Sequence, residues 1–381
     1  MKYVDEYRDG RVARAIAATI AAEAIADRSY RFMEFCGRHT HAISRYGLED
    51  LLPRNVRMIH GPGCPVCVLP AGRIDEAVAL ARLRGVTLCT YADLMRVPAS
   101  GGMSLTKAKA QGADVRMVYS TLDAVRIAET EPDRNVVFFA IGFETTTPPT
   151  ALAILSAQKK GLRNFSVFCN HVLTPPAIEA ILSAPPEQAP GEVAVDGFLG
   201  PAHVSTVIGA RPYEPLAAAY RKPVVISGFE PLDVMQSILM LVRQMNEGRV
   251  EVENQYIRAV SREGNLRAQA IVEDMFELRE TFEWRGLGEI ARSALRLREA
   301  YAAFDAERLF PVARSQARDN PACECGAILR GVKKPVECRL FGTACTPETP
   351  MGSCMVSSEG ACAAHWTYGR FRESNAAGAV R

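Results

Sequence analysis

The sequence predicts an α/β protein built on parallel sheets, followed by a mostly helical C-terminal domain. Short β-branched runs alternate with helical segments from about residue 55 to 250, and such alternation is typical of parallel sheets covered on both faces. The glycine-rich motifs fall where strands end, which is where sheets of this kind bind ligands. From about residue 255 onward the pattern becomes helical.

The alternation can be followed in order along the chain. The predicted strands are rich in β-branched and aromatic residues: NVRMIH, VTLCTYAD, ADVRMVYS, RNVVFFAIGFE, FSVFCNHV, VAVDGFLG and KPVVISGFE. The segments between them have helical spacing, as in RIDEAVALARLRG, TLDAVRIAET and PLDVMQSILMLVRQMNEG. We expect an N-terminal helix in 1–30 that packs on the helical domain, α/β lobes in 31–147 and 148–254, and the helical domain in 255–381.

Composition and charge exclude several functional classes. The chain has 381 residues and a formal net charge of +2, so its overall charge gives no reason to expect binding to nucleic acid or membranes. No apolar run reaches the roughly 18 residues that a membrane span requires. The alanine-rich segment 1–30 is interrupted by acidic residues and lacks the pattern of a secretory signal. We therefore expect a cytoplasmic protein.

The chain contains eleven cysteines, an odd number that argues against a framework of structural disulfides in a cytoplasmic protein. Cys89 and Cys169 lie in strand-like runs, and Cys36, Cys64 and Cys67 lie in loops rich in glycine and proline. Six more are crowded into the last sixty residues: Cys323, Cys325, Cys338, Cys345, Cys354 and Cys362. The tail lacks the tight pairs of a zinc site, and its irregular spacing favours an iron–sulfur cluster. Spacing alone does not say which four thiols bind.

Five motifs then carry a resemblance that covers nearly the whole chain. They are CGRHTH from Cys36, GPGCPVC from Gly61 with Pro70, GFETT from Gly142, PAHVSTVIG from Pro201, and the tail spacing Cys325-x12-Cys338-x6-Cys345-x16-Cys362. In this order they resemble the hydrogenase maturation factor HypD family.

The resemblance implies two Rossmann-like lobes that face a central cleft, and a helical domain with a [4Fe-4S] cluster held by Cys325, Cys338, Cys345 and Cys362. It also implies a scaffold on which the Fe(CN)2CO group of [NiFe] hydrogenases is built. The implied partners are the small chaperone HypC and the cyanide donor HypE. Cys323 and Cys354 are left outside the cluster and are expected to be structural thiols.

The first motif places Cys36 just before Gly37, with His39 and His41 following. Nearby cationic groups favour the thiolate, the form that binds metals, and the histidines are candidates to donate hydrogen bonds or to orient a ligand. A buried cysteine with histidines bonded to the backbone is the alternative. The resemblance implies that Cys36 is the ligand of a transient iron, and thiolate suits iron(II) that carries cyanide and CO.

Cys64 and Cys67 form a CxxC pair, for which three interpretations stay open. A redox couple is favoured, a zinc site would need a histidine such as His60, and the thiols could also be unused. The surrounding glycines and prolines favour exposed sulfur atoms. The chain has no nucleotide-binding fingerprint, so we hypothesise that electrons reach this pair from the tail cluster and keep Cys36 or its iron reduced.

Two further motifs contribute candidates for the cleft. Glu144 stands at a strand end before three threonines that suit a helix cap, and a carboxylate there could bond a histidine or transfer a proton. His203 is placed similarly after a later strand, and a histidine bonded to a neighbouring loop is its alternative.

Three functions remain in competition at this point. They are an assembly scaffold, a cluster-dependent thiol-disulfide oxidoreductase that uses Cys64 and Cys67, and a structural protein with a zinc-binding tail. We expect a maturation factor with redox activity rather than a turnover enzyme.

Overall fold

A computed structural model describes residues 5–183, 194–313, 315, 317 and 320–369. Within these residues the strands are β1 Tyr30–Glu34, β2 Val56–His60, β3 Val86–Thr90, β4 Val115–Met117, β5 Asn135–Gly142, β6 Phe165–His171, β7 Gly197–Pro201, β8 Val224–Ser227, β9 Val252–Asn254, β10 Phe276–Leu278, β11 Thr281–Trp284, β12 Gly288–Ala291 and β13 Leu295–Leu297. The first residue of the predicted strand VAVDGFLG lies outside the described residues.

Two fully parallel sheets form the body of the protein. The first sheet has the order β2-β1-β7-β8-β9, and the second has the order β4-β3-β5-β6. The predicted α/β class with parallel sheets is confirmed. In the first sheet the strands that follow β1 lie on both sides of it, with β2 on one side and β7 on the other. In the second sheet β4 and β5 flank β3 in the same way. A topological switch point therefore lies between β1 and β7, and another between β3 and β5.

The helices that connect and cover the strands are α1 Gly10–Glu23, α2 Gly37–Tyr46, α3 Pro65–Val68, α4 Ala71–Ala81, α5 Leu105–Ala110, α6 Thr121–Thr130, α7 Thr147–Lys159, α8 Thr174–Ser183, α9 Ala202–Ile208, α10 Glu214–Tyr220, α11 Pro231–Glu247, α12 Leu266–Met275, α13 Ala306–Leu309, α14 Cys325–Leu329 and α15 Ala361–Ala364. Helix α11 shows how the sequence sets such boundaries. It begins with a capping box and a proline, and it ends at Gly248 in the left-handed conformation. None of the described helices is long and apolar enough to cross a membrane.

The two sheets do not follow the predicted division between residues 147 and 148. The first sheet combines β1 and β2 from one side of that division with β7, β8 and β9 from the other. Helix α1 packs on α11 of this sheet, with Arg243 Nη2 2.7 Å from Glu23 Oε1, whereas the sequence predicted packing on the C-terminal domain. The apolar stripe of an amphipathic helix such as α1 shows that the helix packs against an apolar surface, but it does not identify that surface.

The prediction of helices throughout 265–310 is wrong for residues 276–297, whereas Leu266–Met275 and Ala306–Leu309 are helical. Strands β10 and β13 pair in antiparallel fashion, as do β11 and β12. Residues of β11 alternate between exposed and buried, from exposed Thr281 to buried Trp284, and this two-residue period matches a strand rather than a helix. The C-terminal region is therefore a mixture of short helices, hairpins and loops.

Candidate functional site

The loops that carry the cysteine and histidine motifs meet at the switch point of the first sheet. Cys36 follows β1, Cys64 follows β2, and His203 follows β7. Since these strands are parallel neighbours, their carboxyl ends lie at the same edge of the sheet. Three motifs that are far apart in the chain thereby become neighbours at the place where ligands bind in such sheets.

Cys36 occupies the N-cap position of α2 and is only 1% exposed. Its Sγ lies 3.4 Å from His203 Nδ1. Burial, together with the carboxylates of Glu359 and Glu34, raises the pKa of the Cys36 thiol well above its ordinary value. The sulfur is therefore protonated in this closed arrangement, although the sequence suggested a cationic setting that favours the thiolate.

Glu34 is a site residue that the sequence interpretation missed. It is fully buried at the end of β1, where its carboxylate accepts hydrogen bonds from the Cys36 backbone N–H at 2.9 Å and from the Thr40 hydroxyl. His60 Nδ1 lies 2.9 Å from Glu34 Oε1, the oxygen that also accepts from Thr40. An acidic residue inside the apolar run FMEFC was the available signal, because a carboxylate is rarely buried without partners.

His39 lies on α2 one turn after Cys36 and is fully buried. Its Nε2 is 3.0 Å from the carbonyl oxygens of both Ser227 and Gly228, and its ring lies 5.0 Å from the Phe229 ring. Burial lowers the pKa of His39 below its ordinary value. The imidazole is therefore neutral at physiological pH.

His203 also packs against Phe229, with 5.4 Å between ring centroids. Burial, with smaller contributions from His39 and Arg38, lowers the pKa of His203 to about 3. The neutral imidazole of His203 is therefore a hydrogen-bond partner of the protonated Cys36 thiol. Cys36, His39 and His203, predicted separately, are thus in one cluster.

The C-terminal segment closes over this cluster. A Cβ built on Gly37 would lie 2.4 Å from the Glu359 Cβ and 2.7 Å from its carbonyl oxygen, so a side chain at this motif position would displace the segment. Arg38 Nε is 3.6 Å from Glu359 Oε1. His41 Nε2 is 3.1 Å from the Tyr368 hydroxyl, so this histidine holds the tail instead of facing Cys36.

Cys64 and Cys67 lie under the same tail segment, and both are buried, so the expectation of exposed sulfur atoms is wrong. The Cys67 backbone N–H donates to Cys64 Sγ at 3.3 Å, and the Ser353 hydroxyl donates to the Cys67 carbonyl at 2.8 Å. Burial and contacts with Cys354 and Cys64 raise the pKa of Cys67.

Cys354, expected to be a structural thiol, connects the CxxC pair with the tail cysteines. The neighbouring side chains of Cys325 and Cys67 lower its pKa below the ordinary value of a thiol. Its position in the sequence gave no signal of this, since it matches no spacing rule. Only the fold brings the segment around Ser353 onto the loop that follows β2.

The four predicted cluster ligands, Cys325, Cys338, Cys345 and Cys362, are all buried. Contact with Cys325 and burial raise the pKa of Cys362, and residues 338–345 form a turn in which the Cys345 backbone N–H donates to the Leu340 carbonyl at 2.9 Å. A Cβ on Gly352 would lie 2.6 Å from Cys325 Sγ and 2.4 Å from Cys323 Sγ, so these thiols crowd around a glycine.

Within the described parts of the chain, no three histidine, cysteine or acidic side chains are arranged to hold a single metal ion. A cubane takes one thiolate at each iron corner, so its ligands surround a volume instead of converging on one point. The soft donors and their burial fit a cluster of this kind.

Glu144 is at the carboxyl end of the second sheet, after β5, and not among the cysteines. Its carboxylate accepts from the Thr174 backbone N–H at 2.7 Å and from the Thr174 hydroxyl at 2.9 Å. Burial raises the pKa of Glu144 to about 7, against the effect of these hydrogen bonds. The pKa of Tyr213 is raised by burial and by the charges of Glu144 and Cys36.

The fold and the site define a doubly wound α/β protein with a thiol-rich, histidine-containing centre at a topological switch point. Comparison with known families agrees with the motifs. The model of the HypD family, described as "Hydrogenase formation hypA family", matches residues 11–369. The chain belongs to the HypD family of hydrogenase maturation factors.

Individual relatives extend over almost the full chain. A protein of Rhizobium leguminosarum bv. viciae, named hydrogenase maturation factor HypD, is 71% identical over 373 residues, which cover 98% of this chain and 97% of the relative. Its namesake from Azotobacter vinelandii is 64% identical, with 98% of each chain covered. The namesake from Escherichia coli K12 is 47% identical, with 99% of this chain and 100% of the relative covered.

Proposed function

We propose that this maturation factor is a cytoplasmic scaffold on which the Fe(CN)2CO group of [NiFe] hydrogenases is assembled. A HypC-type chaperone and a HypE-type cyanide donor would be its partners, and Cys36 would hold the iron. The observation that carries the proposal is the buried pair of Cys36 Sγ and His203 Nδ1, 3.4 Å apart at the switch point.

Iron binding at Cys36 requires the thiol to lose its proton. In the apolar surroundings the free thiolate is disfavoured, as its raised pKa indicates, but an iron(II) cation next to the sulfur stabilises it. As the S–Fe bond forms, the proton leaves Sγ for solvent, because His203, with a pKa of about 3, is too weak a base to keep it. The cyanide- and CO-bearing iron is the substrate here, and a thiolate is well suited to so soft a centre.

Cys325, Cys338, Cys345 and Cys362 would hold the [4Fe-4S] cluster. When bound, such a cluster supplies or accepts electrons one at a time. Cys64 and Cys67 store electrons differently, because forming their disulfide releases two protons and two electrons. The position of Cys354 between Cys67 and Cys325 supports a redox role for the CxxC pair next to the iron site.

The test is infrared spectroscopy of the protein purified anaerobically with its chaperone partner. We expect cyanide and carbonyl stretching bands on the complex, and we expect Cys36→Ala to abolish them. Cys169→Ala is the matched control, since Cys169 is also buried but lies in β6. If the bands persist in Cys36→Ala, the scaffold proposal is wrong.

A second candidate is a thiol-disulfide oxidoreductase based on Cys64 and Cys67, favoured by the electrostatic coupling of neighbouring thiols from Cys64 through Cys67 and Cys354 to Cys325. Reduction of a substrate disulfide that depends on Cys67 and survives Cys36→Ala would support it. The scaffold instead requires Cys36 for hydrogenase maturation.

A further inference from the structure

The His39 ring is bound at one nitrogen and left without a partner at the other. Nε2 lies 3.0 Å from the carbonyl oxygens of Ser227 and Gly228. Carbonyl oxygens only accept hydrogen bonds, so Nε2 carries the proton and Nδ1 carries the lone pair. Nδ1 is buried, and no atom of the described residues forms a hydrogen bond with it.

Such an arrangement calls for a ligand, because a buried polar atom without a partner destabilises the fold. Histidines that bind metals generally donate their other ring N–H to a carbonyl or carboxylate, which fixes the tautomer and the ring orientation. In His39 the Nε2–H group faces two such carbonyl oxygens, those of Ser227 and Gly228. Its Nδ1 therefore has the form and the fixed orientation of a metal ligand.

The position of His39 relative to Cys36 supports the same conclusion. Cys36 is the N-cap of α2 and His39 is three residues later, a spacing that places two side chains on one face of a helix. Helical side chains lean toward the N-terminus of their helix, which directs His39 toward the turn that holds Cys36. Both residues border His203, since Cys36 Sγ contacts its Nδ1 and both imidazoles pack against Phe229.

We propose that His39 Nδ1 is a second ligand that this chain provides to the iron, so that Cys36 and His39 form a Cys-x-x-His chelate. The inference rests on the proposed scaffold function and adds a residue to its iron site. Octahedral iron(II) retains room for further ligands besides two cyanides and CO, and imidazole is a suitable nitrogen donor. Nδ1 binds through its lone pair, so this bond releases neither a proton nor an electron.

The experiment compares infrared spectra of the iron-loaded complex of wild type, His39→Gln, His39→Gly and His41→Gln. Glutamine keeps an N–H group for the Ser227 and Gly228 carbonyls but offers iron no imidazole. We expect the carbonyl and cyanide bands of His39→Gln to shift or to disappear. His41→Gln should keep the wild-type bands, because His41 bonds Tyr368.

Chemical rescue separates ligation from a structural role. In His39→Gly, added imidazole should restore the bands near the wild-type frequencies, and added pyridine should restore them at different frequencies, since a ligated base changes the electron density on iron. Far-UV circular dichroism and cluster absorbance must match those of the wild type.

Wild-type frequencies in His39→Gln would overturn the inference. So would rescue frequencies that do not depend on the base, or a well-folded His39→Gly protein that neither base restores. If the infrared bands are lost in Cys36→Ala but are unchanged in His39→Gln, only the inference about His39 is wrong. If the bands persist in Cys36→Ala, the proposed function itself is wrong.

Discussion

Replacing Glu144 by glutamine should change how the stability of the protein depends on pH. Burial raises the pKa of Glu144 to about 7 from an ordinary value of 4.5. The native state therefore holds this proton more tightly than the unfolded state does. The resulting stabilisation is fully present below pH 4.5 and is lost as the pH rises through about 7. At 1.36 kcal/mol for each pH unit, the loss amounts to about 3 kcal/mol.

The assay is anaerobic urea unfolding of the wild type and Glu144→Gln between pH 4.5 and 8. Glutamine matches the neutral carboxyl group in shape and can still accept from the Thr174 N–H. We expect the wild type to lose about 3 kcal/mol relative to the variant across this range. Glu179→Gln, at an exposed site of α8, should run parallel to the wild type. If the unfolding free energies of the wild type and Glu144→Gln change in the same way with pH, the argument is refuted.

Three further predictions concern packing, reactivity and charge. Gly63→Ala places a Cβ 2.2 Å from the Cys36 backbone nitrogen. It should cost about 2 kcal/mol or more in urea unfolding, whereas Gly10→Ala, in open surroundings at the start of α1, should cost nothing. Iodoacetamide should alkylate Cys36 at least about tenfold more slowly than glutathione at pH 7.5, because the thiol is buried with a raised pKa; mass spectrometry showing equal rates would contradict this. Arg258→Met removes the guanidinium 2.6 Å from buried Asp233 and should cost about 3–5 kcal/mol of unfolding free energy; an unchanged urea midpoint would argue against it.

The α/β class could be predicted from the sequence because most inner strands of the two parallel sheets, namely β3, β5, β7 and β8, are nearly continuous apolar runs. Strand β1 is the exception, since Arg31 and Glu34 interrupt its pattern. Its charges have partners that only the fold provides: Arg31 Nε is 3.1 Å from Asp196 Oδ2, and Glu34 binds His60. The strand that positions Cys36 was therefore the hardest to recognise.

The sequence motifs identified Cys36, His39 and His203, but not the groups that control them. Glu34 and Glu359 shift the Cys36 pKa, and Cys354 connects the CxxC pair with the tail. None of these belongs to a spacing rule, because each acts through a contact between segments distant in the chain. The helix prediction for residues 276–297 was also wrong. Charged and apolar residues are mixed in these short strands, and so short a two-residue pattern resembles that of an amphipathic helix.

The topology explains why these motifs are rich in glycine. Cys36 and His203 are 167 residues apart in the chain, yet the parallel strands β1 and β7 deliver them to one edge of a sheet. The loops after β1 and β2 and the C-terminal segment share a small volume. Their backbones therefore lie in direct contact. Side chains at Gly37 and Gly63 would collide with Glu359 and Cys36 at less than 3 Å. The glycines therefore set how closely the Cys36 thiol, the CxxC pair and the tail approach one another, and the chemistry proposed for the site depends on that approach.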